Sequence, residues 1–257
     1  MKIPRSTLYY RINHPKQPPY TEETAEKLKE VFRAHNGSFG RRVLKQELKK
    51  EQINLSERTV SMIMKAYGLK AKYGRKKGTN LHTHKETSER YIAENKYWAY
   101  PEQERPENVW SMDFTEQKVS GKTVYTCGII SVNGKTLVGR ISGEPNNAET
   151  ACKTLKKAIA AYGKPDMILT DRGSPFTSKA FHDLVEREEI AHSMSRPHTP
   201  RDNRYIETFW RMMKTEIGTV KAMTIAEYLM VLEYYEYYYN HLRPHSALGY
   251  RTPLQAA

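Results

Sequence analysis

The sequence predicts an α/β fold, a mixed five-stranded sheet flanked by helices, preceded by a small all-α domain. After Pro106, three strand-like runs joined by hairpin turns are followed by alternating helix and strand, which is typical of a mixed sheet with helices on its faces. Before Gly68, apolar residues instead recur with helical spacing in three short segments. The 257 residues therefore divide into a small helical part and a larger α/β part.

Three short helices with a tight break predict a helix-turn-helix domain over residues 20–70. Arg58 and Lys65 face away from the apolar stripe of the last helix, so we expect them to contact DNA in the major groove. An ordinary three-helix packing unit is the alternative. The helices are expected at 21–34, 41–51 and 56–68.

Positive charge is concentrated around this domain. Residues 1–100 contain 22 Lys and Arg against 10 Asp and Glu, whereas residues 101–257 contain 20 against 19. Such an excess favours a polyanionic partner, because each neutralised phosphate releases condensed counterions. A basic surface that only keeps the protein in solution is the alternative.

Basic segments flank the helical domain on both sides. Residues 1–19 form a basic N-terminal segment, and residues 71–105 form a basic linker. Inside the linker, a glycine-punctuated run too polar to bury is expected to contact DNA. Its basic residues are Arg75, Lys76 and Lys77.

The α/β core is predicted over residues 106–222, followed by a C-terminal helix and tail over residues 223–257. Asn133-Gly134 is a strong hairpin signal, and Gly163 ends the first helix of the core. The predicted strands are 109–115, 124–132, 136–142, 167–170 and 190–194. The predicted helices are 148–162, 178–188, one that carries Glu207 and runs to about 218, and 224–240.

Three acidic residues occupy places that a mixed sheet could bring together. Asp113 lies in the first strand, Asp171 follows the buried strand 167–170, and Glu207 lies on a later helix. Each acid alone is a weak signal, since such residues more often form turns or remain solvated. As a set, carboxylates from three segments can hold two divalent cations.

The helix that carries Glu207 has a polar and an apolar stripe. Asn203, Glu207, Arg211 and Lys214 recur with helical spacing. If the apolar stripe packs on the sheet, the polar stripe faces a cleft, and we expect Asn203, Arg211 and Lys214 to contact DNA there. The apolar stripe consists of Ile206, Trp210, Met213 and Ile217.

Such a set of carboxylates predicts metal-dependent phosphodiester chemistry. Mg²⁺ prefers oxygen ligands and keeps several waters, so a few carboxylates and a substrate phosphate can hold it. Two ions about 3.5–4 Å apart clamp the attacking and leaving oxygens of an in-line displacement. Asp113 would bridge both ions, with Asp171 on one and Glu207 on the other, and Mn²⁺ could substitute for Mg²⁺.

Motifs along nearly the whole chain carry a family resemblance. "VWSMDFT", "LTDRGSPFTSKAF" and "SMSRPHTPRDNRYIETFWRMMKTE" contain the three acids in order. "STLYYR", "GSFGRRVLKQELKKEQINLSERTVSMIMKAYGLKA" and "YYYNHLRPHSALGYRTPLQ" occupy the beginning, the helical domain and the end. Together they resemble the OrfB-type transposases of the insertion-sequence-three family, within the DDE transposase and retroviral integrase superfamily.

The resemblance implies a ribonuclease-H-like DDE catalytic core over residues 106–222. Asp113, Asp171 and Glu207 would be its catalytic and metal-binding residues, and Lys214 its DNA-contacting lysine. It further implies a DNA transposase that cleaves transposon ends and transfers the 3′-hydroxyl to target DNA through a circular intermediate. The implied partners are double-stranded DNA at terminal repeats and target sites, further copies of the chain on paired ends, and an OrfA-type partner or fusion.

Two other functions stay open, a metal-dependent nuclease that hydrolyses without joining and a non-catalytic DNA-binding regulator or remnant. His198 and Arg204 depart from the family pattern, which has Gly and Ala there, and are expected to crowd the approach to Glu207. No apolar run approaches the roughly 20 residues of a membrane helix, and the start lacks the apolar stretch of a signal peptide. We therefore expect a protein of the bacterial cytosol, associated with the nucleoid, with no membrane partner.

Overall fold

The structure is a computed structural model that describes residues 19–72, 91–197 and 199–257. The chain divides into two compact units, Met1–Lys72 and Tyr73–Ala257. Some predicted features lie outside the described residues, namely most of the segment 1–19, the basic run Arg75, Lys76 and Lys77, and His198.

The first unit contains the three predicted helices, α1 (Glu22–Ala34), α2 (Arg41–Lys50) and α3 (Glu57–Ala66). The hydroxyls of Thr21 and Ser56 cap α1 and α3 by accepting backbone N–H bonds from the first turn. The apolar faces of the helices share one core. Its fully buried residues are Ala25, Leu28, Leu44, Leu48, Val60 and Ile63.

A five-stranded mixed sheet forms the centre of the second unit, in the order β3-β2-β1-β4-β5. The strands are β1 (Val109–Val119), β2 (Lys122–Ser131), β3 (Leu137–Ser142), β4 (Met167–Thr170) and β5 (Ala191–Met194). The first three are antiparallel neighbours, whereas β4 runs parallel to β1, and β5 runs parallel to β4. The α/β prediction is therefore confirmed.

The β1–β2 hairpin is longer than predicted. β1 continues to Val119, because exposed Lys118 alternates with buried Val119 beyond the predicted end at Thr115. The chain turns at Ser120 and Gly121, whose φ angles of 46° and 77° match the twist of the flanking strands. The hairpin therefore extends the sheet past the position of Asp113.

Helices cover both faces of the sheet. They are α4 (Ala148–Tyr162), α5 (Lys179–Arg187), α6 (Arg204–Ile217) and α7 (Ile225–Tyr237). α4 and α5 pack on one face, and α6 and α7 pack on the other. Because side chains alternate along β1, Met112 joins the core under α4 and α5 while Ser111 and Asp113 lie on the α6 face.

The predicted tyrosine-rich C-terminal helix ends earlier than expected. α7 stops at Tyr237, and a π-helical turn over Tyr238–Leu242 follows. Tyr228 and Tyr235 are buried against the sheet side, whereas Tyr234 is 65% exposed. Among the residues that the structure describes, no helix has both the length and the hydropathy needed to cross a bilayer.

Candidate active site

Asp113 on β1 and Asp171, which directly follows the parallel strand β4, lie next to each other. Ser111 of β1 pairs with Leu169 of β4. The same register carried two residues further brings Asp113 opposite Asp171, just past the end of β4. Residues two apart on a strand share a face, and neighbouring strands are about 4.8 Å apart, so both carboxylates lie on the α6 face.

A tight turn holds the carboxylate of Asp171. The backbone N–H of Gly173 donates to Oδ1 of Asp171 at 2.8 Å. A Cβ on Gly173 would come within 2.9 Å of that oxygen, so a larger residue there would displace the carboxylate. Arg172, between them, donates from Nε to the carbonyl of Ser195 at 2.9 Å, which ties the turn to the end of β5.

A buried hydrogen bond connects β1 to the start of α6. Oγ of Ser111 donates to Oδ1 of Asn203 at 2.9 Å, and the two residues are 0% and 4% exposed. Ser111 precedes Asp113 by two residues, and Asn203 precedes Glu207 by four. The bond therefore fixes the strand of the first acid relative to the helix of the third.

Trp210 packs α6 onto the sheet beside Asp113. A Cβ on Gly128, the β2 partner of Asp113, would lie 2.5 Å from Cη2 of Trp210. The residue is 5% exposed, and its indole Nε1 is buried without a hydrogen-bond partner in the described part of the chain. Because Glu207 lies three residues before Trp210, this close packing holds the first turn of α6 near Asp113.

The pKa of the Asp113 carboxyl is raised well above its usual range. Burial is the largest cause, and the charges of Asp171 and Glu207 raise it further. The backbone N–H of Phe114 lowers it, as does the indole of Trp210, which lies near the carboxylate but outside hydrogen-bonding geometry. Like charges raise a pKa only at short range, so the three acids share one electrostatic site.

Comparison with known proteins places the chain in a family. The description "Integrase core domain" matches residues 103–200 and again 188–253, and "HTH-like domain" matches residues 19–77. The "Transposase for insertion sequence element IS904" of Lactococcus lactis is 29% identical over 242 residues, covering 93% of this chain and 94% of the relative. The chain belongs to the OrfB-type transposases of the insertion-sequence-three family. The predicted family is confirmed.

Other relatives agree with this family. The "Putative transposase InsK for insertion sequence element IS150" of Escherichia coli is 24% identical and covers 99% of this transposase and 89% of the relative. A chain in the "CryoEM structure of simian T-cell lymphotropic virus intasome in complex with PP2A regulatory subunit B56 gamma" has a TM-score of 0.50 and 15% identity, covering 90% of this transposase and 73% of that chain. That likeness supports the ribonuclease-H-like fold alone. The protein is an insertion-sequence transposase of the DDE polynucleotidyl transferase class.

The acids of the transposase suit a cation site completed by substrate. In residues 19–72, 91–197 and 199–257, no group of three or more His, Cys, Asp or Glu is spaced to hold a metal by itself. The converging donors are all carboxylate oxygens, which Mg²⁺ prefers, and a cation would relieve the repulsion that raises the pKa of Asp113. Because Mg²⁺ keeps waters and binds substrate phosphates, a complete protein cage is not expected.

Lys214 lies beside the site, as its position seven residues after Glu207 predicts. Its Nζ donates to the carbonyl of Glu116 at 3.0 Å. Burial lowers the pKa of Lys214, while the charges of Glu116 and Asp113 act in the opposite direction. Arg211, on the same helix, is exposed. Lys214 is thus held against β1 three residues beyond Asp113, and Arg211 is open to solvent.

Asn203 requires a correction among the predicted DNA contacts. Its side chain is buried and bonded to Ser111, so it positions α6 instead of presenting an amide to DNA. Helical spacing assigned it to the stripe of Glu207, but the chain over Pro200–Asn203 is a separate 3₁₀ turn. Arg58 and Lys65, on α3 of the other unit, are both exposed.

Arg204, which departs from the family pattern, contacts two aromatic rings at the start of α6. Its guanidinium carbon lies 4.6 Å from the ring centroid of Trp98 and 5.2 Å from that of Tyr205. The guanidinium of Arg204 therefore packs on aromatic rings at the start of α6.

Sequence reasoning missed the positioning residues Ser111, Gly128 and Trp210. A glycine inside a buried strand indicates a close approach by another group, which could have singled out Gly128. Trp210 was assigned to the apolar stripe correctly, but its contact with the backbone opposite Asp113 depends on tertiary packing. Ser111 carries no local signal of its bond to Asn203.

Proposed function

We propose that Asp113, Asp171 and Glu207 hold two Mg²⁺ ions, for which Mn²⁺ can substitute. With them the transposase cuts transposon ends and joins the freed 3′-hydroxyl to target DNA. The convergence of three carboxylates on the α6 face of the sheet carries this proposal. The carboxyl of Asp113 is affected by the charges of both Asp171 and Glu207, which supports a role in which Asp113 would hold both ions.

Bound ions supply Lewis-acid activation of the attacking oxygen and charge stabilisation of the leaving oxygen. The turn at Gly173 and the Ser111–Asn203 bond keep the acids in place, so little reorganisation is needed when substrate binds. Lys214 and Arg211 orient the phosphate. In cleavage, a water oxygen bonds to phosphorus and the bond to the 3′-oxygen breaks; in joining, the 3′-hydroxyl attacks a target phosphodiester and displaces its 3′-oxygen.

The helical unit is assigned to recognition of the terminal repeats. Arg58 and Lys65 are exposed on α3 of the unit that matches the HTH-like description, and we assign them to the major groove of the terminal repeats. Paired ends call for more than one copy of the chain, together with an OrfA-type partner or fusion. A DNA substrate places the protein with the nucleoid in the bacterial cytosol.

The test uses the full chain, Mg²⁺ and duplex DNA from the ends of its own element, with a target plasmid. Wild type should nick at the transposon ends and give joined product, whereas Asp113→Asn, Asp171→Asn and Glu207→Gln should each lose at least about 10²-fold in rate. Asp166→Asn is the matched control, since this exposed acid lies at the opposite end of β4 from Asp171. Equal rates for the acid variants and wild type would refute the assignment.

The same experiment separates the alternative functions. If the protein nicks intact ends but gives no joined product even when pre-cleaved ends are supplied, it acts as a nuclease. DNA binding with no metal-dependent product of either kind would indicate a regulator.

A further inference from the structure

Two aromatic rings and three cations form a cluster at the start of α6, and we call Trp98, Arg105, Lys135, Arg204 and Tyr205 the cation–aromatic cluster. The rings of Trp98 and Tyr205 are nearly parallel, 4° apart, with centroids separated by 6.1 Å. The guanidinium of Arg204 lies over both rings. That of Arg105 lies 4.8 Å from the Trp98 centroid, and Nζ of Lys135 lies 5.3 Å from the Tyr205 centroid.

These three cations have no anionic partner in the described residues of this unit. Three carboxylates of the unit pair instead with Arg140, Arg196 and Arg243. Nε of Arg105 is also buried without a hydrogen-bond acceptor in that part of the chain. The three neighbouring cations thus contact aromatic rings, the carbonyl of Val132 and the hydroxyl of Tyr205, but no carboxylate among the described residues.

A neighbouring acid, Asp202, is already engaged. Asp202, whose carbonyl accepts the indole N–H of Trp98 at 3.0 Å, is 3% exposed. Its carboxylate accepts bonds from Nε and Nη2 of Arg196 at 2.9 and 3.0 Å and from Nδ2 of Asn95 at 2.8 Å. The Asp202 carboxylate is therefore paired with Arg196 and not with a cation of the cluster.

The cluster creates a positive field at the Tyr205 hydroxyl. Nη2 of Arg204 donates to this hydroxyl at 3.4 Å, and Nζ of Lys135 lies over the same ring. Burial lowers the pKa of Lys135, and the charge of Arg204 lowers it further. The neighbouring cations thus mark a place that an anion would stabilise.

We propose that the cation–aromatic cluster binds a backbone phosphate of the DNA that flanks the scissile phosphate. Arg204 precedes Glu207 by three residues on α6, about 4.5 Å along the helix axis, so a strand at the acids passes the cluster. Arg204, exposed at the surface, and the hydroxyl of Tyr205 supply hydrogen-bond donors, and Lys135 and Arg105 supply charge. This inference rests on the proposed DNA substrate but not on catalysis by the three acids.

Lysine footprinting locates the contact directly. The full chain carrying Glu207→Gln is treated with an amine-acylating reagent without metal, with and without a short transposon-end duplex, and each lysine is followed by mass spectrometry. We expect DNA to slow modification of Lys135 at least fivefold. Lys156, exposed on α4 across the sheet, is the matched control and should change less than twofold.

The salt dependence of DNA binding gives a second, independent measurement. For Arg204→Gln, the slope of log K against log salt should become shallower by about one, the value for one lost phosphate contact. Arg204→Lys should restore most of the slope, and Lys156→Gln should leave it unchanged. If DNA leaves Lys135 modification unchanged and Arg204→Gln keeps the wild-type slope, the cluster is a structural clamp only. A normal footprint with no nicking by wild type would instead refute the proposed function and leave this site standing.

Discussion

The indole ring of Trp210 lies against the backbone of Gly128, where an added Cβ would meet Cη2 at 2.5 Å and Cζ2 at 2.8 Å. Gly128 is the β2 partner of Asp113, so this contact sets the separation between α6 and the strand of the first acid. We expect Gly128→Ala to displace α6, to destabilise the protein by about 1–3 kcal/mol and to lower the nicking rate. Chemical denaturation and nicking assays measure the two effects.

A double-mutant cycle tests whether the steric contact is the cause. Trp210→Phe shortens the ring that meets Gly128, so Gly128→Ala should cost less in the Trp210→Phe background than in wild type. An interaction energy of about 1 kcal/mol or more is expected for residues in contact. Additive effects would show that Gly128 matters for another reason.

The bond from Ser111 to Asn203 should affect activity through position alone. Ser111→Ala leaves the buried Oδ1 of Asn203 without its donor, which costs about 1–3 kcal/mol. Because neither residue is one of the three acids or of the basic residues assigned to DNA, we expect the nicking rate to fall while the apparent affinity for DNA changes little. Thr219→Ala, at an exposed loop position, should change neither quantity. Unchanged stability in Ser111→Ala would contradict the bond.

A buried histidine makes stability depend on pH. His192 is 8% exposed, its Nε2 lies 2.9 Å from Oγ1 of Thr170, and burial lowers its pKa to about 4. The unfolded chain, with a pKa near 6.5, therefore binds more protons than the folded chain between about pH 4 and 6.5. Stability should fall as the pH drops through that window, by up to about 1.4 kcal/mol per pH unit from this group.

Comparing wild type with His192→Gln isolates that contribution from those of other groups. The slope of unfolding free energy against pH should be shallower in the variant between pH 4.5 and 6 and equal above about pH 7.5. Equal slopes in both windows would mean that His192 titrates normally in the folded state.

The ion pair between Arg243 and Glu216 should stabilise the C-terminal segment strongly. Nη2 of Arg243 lies 2.7 Å from Oε1 of Glu216, their side chains are 12% and 5% exposed, and Tyr235 donates to the same carboxylate at 2.9 Å. Glu216→Gln leaves a buried cation without its counter-charge, which costs about 3–5 kcal/mol. The matched control is Glu189→Gln in the exposed Lys164–Glu189 pair, which should cost at most about 1 kcal/mol. Similar losses in both variants would refute the distinction.

Local patterns predicted most of the fold, because strands and helices follow from periodicity and turn residues. The predicted β1 ends too early, at Thr115, because the polar residues before Val119 do not look like a strand in the sequence. The three acids could be singled out by their segments, but their convergence depends on the β1–β4 register, which no local pattern encodes. Asn203 was assigned to the wrong face because a helical repeat was extended into a 3₁₀ turn, and the cation–aromatic cluster joins residues too far apart in sequence to be predicted.

Removing one acid should stabilise the metal-free protein while abolishing its response to Mg²⁺. The charges of Asp171 and Glu207 both oppose ionisation of Asp113, so Asp113→Asn relieves repulsion. Without metal, the variant should therefore have a higher melting temperature, with an unfolding free energy larger by about 1 kcal/mol. In wild type, Mg²⁺ should raise the melting temperature with concentration, because a ligand that binds only the folded state stabilises it by mass action. Thermal denaturation with EDTA and with increasing Mg²⁺ measures both effects, and Asp166→Asn should behave like wild type. A variant that is less stable than wild type in EDTA, yet gains as much from Mg²⁺, would show that Asp113 serves packing and that the ions bind elsewhere.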